Sequence, residues 1–194
     1  MNHRTLPAGY RPREVMDFVR SRRQMKIVCF GALAATLVMV ALGLILRPVA
    51  PSWRFLCEKP WAWAALAGML IAYIPLHELT HGALMRLLSG VRPKYGFSLC
   101  YAYAGSTVWF DRRSHAVIAL APLILWGAVL AVLERALPDA WFWLIYLVQI
   151  SNVSGSAGDV YCVVHLRRLP RDILIQDTGT RMRVYAPRSN EEQK

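Results

Sequence analysis

The stretch WAWAALAGMLIAYIPLHELTHGALMRLL, Trp61 to Leu88, joins two properties that seldom coexist in one helix. About 20 apolar residues, each rising about 1.5 Å, carry a helix across about 30 Å of hydrocarbon, and this stretch exceeds that length. It also holds His77, Glu78 and His81. An ionisable side chain at membrane depth costs roughly a few kcal/mol, so such groups face a protein interior and have a partner there.

The rest of the chain has the same character, with a hydrophobic content of 56% and positive mean hydropathy over 194 residues. Three more apolar runs are long enough to span: Val28 to Leu46, Ala116 to Leu133, and Trp141 to about Leu166. The first follows a basic leader too long for a secretory signal and is expected to be an uncleaved anchor.

The net charge of +11 suggests nucleic acid until its distribution is examined. Lys and Arg number seven before the first run, three between the first and second, five from Arg86 to Arg113, one between the third and fourth, and seven after the fourth. With both termini cytoplasmic, 19 of the 23 lie inside, as the positive-inside rule requires. The basic residues then orient the chain and favour anionic lipid, and a nucleic-acid partner is not expected. Of the four cysteines, Cys29 and Cys162 fall within spans, Cys100 inside and Cys57 outside, so no intrachain disulfide is expected.

The expected fold is therefore an all-α membrane protein with four transmembrane helices and both termini in the cytoplasm. Residues 1–27 form a basic cytoplasmic segment, 28–166 the membrane domain, and 167–194 a cytoplasmic hairpin and tail. Pro12 to Lys26 suits either a short amphipathic helix on the membrane face or a disordered basic tail. From Gly90 to His115, Tyr95, Phe97, Tyr101, Tyr103, Val108 and Phe110 alternate with smaller residues, and Gly105-Ser106 sits midway, which predicts a β-hairpin. A shorter hairpin is expected from Ile173 to Gln176 and Arg181 to Tyr185, turning at Asp177-Thr178-Gly179. Ser189 to Lys194 is expected to be disordered.

His77-Glu78-Leu79-Thr80-His81 has the spacing H-E-x-x-H, which puts two imidazoles one helical turn apart on one face. They are placed to share a metal, and neutral imidazoles suit zinc. A catalytic zinc takes three protein ligands and leaves a position for water, whose proton Glu78 is placed to accept. The bland alternative is a polar seam in which the same side chains join helices by hydrogen bonds. Three ionisable groups in an apolar span favour the metal.

The third ligand must lie at matching depth. Glu134 is at the outer end of the third span, whereas His77 is 16 residues from the outer end of the second, about 24 Å deep. Asp159 is 18 residues from the outer end of the fourth, about 27 Å deep, and is selected. Around it Gly155-Ser156-Ala157-Gly158 permits close helix approach and loosens the helix; a packing motif with Asp159 paired to an arginine is the alternative. Asn152, Ser156 and Asp159 share one face, so Asn152 is a candidate either for contact with substrate or the transition state or for an interhelical hydrogen bond. His115 and His165 are second-tier ligand candidates, expected rather as interfacial residues near the headgroups, and Cys162 is either a softer ligand or a packing residue, packing being the commoner role.

With those residues in place, the chain resembles the family of predicted membrane zincin peptidases formerly grouped as a domain of unknown function. The shared features are H-E-L-x-H-G at His77 to Gly82, Pro93-Lys94-Tyr95-Gly96-Phe97, Ala119-Leu120-Ala121-Pro122, and Gly155-Ser156-Ala157-Gly158-Asp159, within Trp61 to Gly179. In arrangement it is also similar to site-2 proteases, although their Asn-x-x-Pro-x-x-Asp-Gly signature is missing. The resemblance implies a zinc metalloprotease of the cell membrane acting on membrane proteins or peptides. It also implies an extended substrate, for which the 90–115 hairpin is either an edge strand or a plain structural cap. The competing class is a catalytically inactive metal-binding membrane protein, an adaptor or transport accessory.

Overall fold

The computed structural model describes residues 2–18, 20–98 and 101–188. The expectations for Cys100 and for Ser189 to Lys194 fall outside those residues.

Among the described residues three helices are long and apolar enough to cross a membrane: α1 (Arg22–Leu46), α3 (Trp61–Ser89) and α4 (Arg112–Ala136). Between α1 and α3 lies a short helix, α2 (Ala50–Glu58). The stretch expected as one fourth span forms two helices instead, α5 (Phe142–Gly155) and α6 (Ala157–Leu166). Ser156 separates them, and both its backbone N–H and its hydroxyl donate to the Asn152 carbonyl, at 3.2 and 2.8 Å. A serine that bonds back to the preceding turn competes with the helical ladder, and the flanking glycines offer little to hold the ladder straight.

By their internal contacts the residues group into two units. One comprises 27–77 and 122–158: most of α1, all of α2, the first part of α3, the later part of α4, and α5. Its interior is built from apolar helix faces, with Leu56, Ala62, Leu66 and Leu144 in one cluster and Tyr73, Leu130, Ile145 and Val148 in another. Outward positions of α1 such as Leu37, Val38 and Ile45 are 61%, 59% and 80% exposed, a surface stable only against hydrocarbon or protein.

The other unit comprises 1–26, 78–121 and 159–194. Its main feature is a four-stranded antiparallel sheet in the order β1-β6-β5-β4, from β1 (Tyr10–Met16), β4 (Trp109–Asp111), β5 (Leu174–Asp177) and β6 (Met182–Pro187). One face packs Met16, Ile173, Ile175 and Val184 against Cys162 and Leu166 of α6. The β5–β6 hairpin agrees with the sequence, and Gly179 takes the left-handed φ of +82° its turn requires.

Two expectations are corrected here. Of the Pro12 to Lys26 stretch, expected as an amphipathic helix or a disordered tail, residues 12–16 belong to β1, paired to β6 with a register shift at Pro12/Glu14, and residues 22–26 open α1. Proline supplies no N–H to a ladder and sits where the register breaks, while Met16, 1% exposed, anchors the strand in the core. The 90–115 segment does contain a hairpin, β2 (Lys94–Ser98) with β3 (Tyr101–Gly105). Gly105-Ser106, however, ends β3 rather than turning it: the Ser106 N–H donates to the Asp177 carbonyl at 2.7 Å, and β4 joins the larger sheet. From β4 the chain enters α4 directly, because Asp111 Oδ1 caps the helix by accepting the N–H groups of Arg113 and Ser114, each at 2.9 Å.

Candidate metal centre

His77 and His81 stand one turn apart on α3, so helix geometry alone aims both imidazoles the same way. Pro75, which lacks an N–H, removes one ladder bond just ahead of them. His81 is buried and its Nδ1 lies 2.9 Å from the Ile118 carbonyl of α4. A carbonyl only accepts, so Nδ1 carries the proton and Nε2 is the Lewis base. That Nε2 faces Oδ1 of Asp159, in the first turn of α6, at 3.6 Å.

His77 is oriented by a second chain of hydrogen bonds. Asn152, fully buried, donates from Nδ2 to the Leu123 carbonyl at 3.2 Å, which turns its Oδ1 the other way. Oδ1 accepts the Tyr73 hydroxyl at 2.7 Å, and the Tyr73 oxygen is 2.8 Å from Nδ1 of His77. The one hydroxyl proton goes to Asn152, so His77 Nδ1 donates to Tyr73 and Nε2 is again the basic nitrogen. Both histidines thus have the tautomer that metal-ligating imidazoles adopt when the far nitrogen is held by an acceptor.

The ligand atoms of His77, His81 and Asp159 all lie within 4.8 Å of one another. Two atoms each about 2.1 Å from a tetrahedral zinc stand about 3.4 Å apart, and the His81–Asp159 separation of 3.6 Å is close to that. It is longer than a charge-assisted hydrogen bond of about 2.8 Å. Two imidazoles and a carboxylate, with both tautomers set, fit zinc in chemistry, and the His81–Asp159 pair fits it in spacing. Glu78 is half-buried on the same turn and is not part of the ligand group.

The other candidates lie elsewhere. Glu134, near the far end of α4, stands outside the ligand group. Cys162 packs in the sheet core. His165 has its Nε2 2.8 Å from Glu14 and its ring stacked on Tyr161. His115, also expected at the interface, is 2% exposed, with Nε2 3.8 Å from Asp177. Asn152 occupies the position of the interhelical hydrogen-bond alternative, since both ends of its amide are engaged.

Tyr73 is the residue the sequence did not single out. Its signal was present, a tyrosine four positions before His77 on the same face of an apolar helix. Nothing in the sequence, though, says that α5 brings Asn152 to meet it.

Comparison with known proteins places the chain in a family. An "Uncharacterized 24.7 kDa protein in gap 5'region" from Pyrococcus woesei is 30% identical over 122 residues, which span 60% of this chain and 53% of that relative. No solved structure matches the chain. A family model described as "Putative zincin peptidase" matches residues 70–174, more than half of the chain and all of the residues just described from Tyr73 to Asp159. The chain belongs to that zincin peptidase family.

Proposed function

We propose that this protein is a membrane-embedded zinc metallopeptidase that hydrolyses peptide bonds of membrane proteins or peptides near the cytoplasmic leaflet. The observation that carries the proposal is the convergence of His77, His81 and Asp159 within 4.8 Å. Bound zinc supplies Lewis acidity towards water and the scissile carbonyl. His77, His81 and Asp159 would hold it, and Tyr73 and the Ile118 carbonyl keep the two imidazoles turned. The Glu78 carboxylate accepts the proton of the attacking water and returns a proton to the leaving amine.

The topology goes with this function. We assign four crossings, the fourth made by α5 and α6 together, with both termini in the cytoplasm of a multi-pass cell-membrane protein; the alternating charge of the connecting segments supports it. A zinc peptidase needs its substrate extended, and β2 and β3 form a two-stranded sheet whose outer edges pair with no other strand among the described residues. The outer edge of β2 is the assigned place for an extended peptide.

Replacing Glu78 with Gln tests the enzyme assignment. The variant should keep its zinc and lose cleavage of a membrane-anchored reporter by about 100-fold or more. Undiminished cleavage would overturn the assignment. Zinc retention without cleavage in the wild type as well would favour a metal-binding adaptor.

A further inference from the structure

We propose that the Ser89 end of α3 carries a binding site for an anionic phospholipid, with the lipid phosphate between Arg86 and Arg92. This rests on the reading of α3 as a membrane span, not on peptidase activity.

A cleft of about 740 Å³ opens there. Leu79, Ala83 and Leu87 of α3 form an apolar rail along it, and Pro93 and Tyr95 form the opposite wall. Leu79, Leu87 and Tyr95 are 50%, 76% and 49% exposed, so the rail is open to whatever surrounds the helix. Leu79 is two positions from His81, about 160° around the helix, so the rail is on the side away from that ligand.

Among the described residues Arg86 and Arg92 are the charged residues of this cleft, and no carboxylate lines it. The ordinary role for an arginine in a last helical turn is to neutralise the terminal carbonyls. Four carbonyls of that end are already served: Met85 by the Ser89 hydroxyl at 2.6 Å, Arg86 by the Gly90 N–H at 2.8 Å, Leu88 by the Asn2 amide at 3.0 Å and Ser89 by Arg4 at 3.4 Å. Among the described residues nothing forms a hydrogen bond or ion pair with the Arg86 or Arg92 guanidinium. Two uncompensated guanidiniums at the end of an apolar rail match a phosphate with an acyl chain attached. A free phosphate would leave the rail uncovered, and a neutral lipid would leave the charge unmatched.

The test is native mass spectrometry of the purified full chain, offered equal amounts of phosphatidylglycerol and phosphatidylcholine with identical acyl chains. The wild type should retain phosphatidylglycerol with about tenfold or greater preference. R86Q/R92Q should fall to near parity, while R13Q/R188Q, which changes charge elsewhere, keeps the preference; circular dichroism checks that both variants are folded. Equal retention of the two lipids by the wild type, or an unchanged preference in R86Q/R92Q, would overturn the site. Displacement of phosphatidylglycerol by millimolar inorganic phosphate would overturn the lipid as its occupant.

Discussion

Nε2 of His81 lies 3.6 Å from Oδ1 of Asp159, joining the motif helix α3 to the first turn of α6. The break at Ser156 starts a new helix just before Asp159, and the carboxylate therefore belongs to a first turn rather than to the middle of a straight span.

Loss of that carboxylate should loosen the metal. Asp159→Asn keeps the size of the side chain but exchanges an anionic oxygen for a weak neutral ligand, and zinc affinity should fall by about 100-fold or more. Chelator competition on the purified protein measures it. Cys162→Ala, which alters a packed core position, should leave zinc affinity unchanged.

The hydrogen bonds behind His77 predict a smaller loss. Tyr73→Phe leaves Nδ1 of His77 and Oδ1 of Asn152 without the hydroxyl that joins them, and losing the partner behind a metal-ligating imidazole costs about 10- to 100-fold in metal affinity. Asn152→Leu should act through the same link, so the double variant should be no weaker than the worse single one. Additive losses in the same chelator titration would show that Asn152 acts independently of Tyr73.

Gly105 marks a close approach of backbone in the sheet unit. A Cβ there would collide with the Thr178 carbonyl group, which backbone geometry fixes in place. Gly105→Ala should therefore destabilise the protein by about 1–3 kcal/mol, read as a lowered midpoint of thermal unfolding.

Much of this was legible in the sequence because the chemistry is local or periodic. Helix spacing sets His77 against His81, and depth counted along two apolar runs pointed to Asp159 rather than Glu134, the carboxylate that the structure brings to the two histidines being Asp159. The β5–β6 hairpin was readable from its turn at Asp177-Thr178-Gly179. What escaped depends on partners distant in the chain. Tyr10 to Met16 becomes a strand because β6 offers an edge, and a local reading of a Pro- and Arg-rich leader contains no trace of that edge. The same holds for Tyr73, whose role exists only once α5 presents Asn152. The two helices of 142–166 were hidden for a different reason: hydropathy does not register a serine that bonds back on its own turn.

The central claim is a zinc held by two imidazoles and one carboxylate. Zinc K-edge X-ray absorption on the purified full chain tests it most directly: one zinc per chain, with nitrogen and oxygen neighbours at about 2.0–2.2 Å and a two-imidazole scattering pattern, is the predicted result. A sulfur shell at about 2.3 Å, or no zinc retained at stoichiometric level, would contradict it.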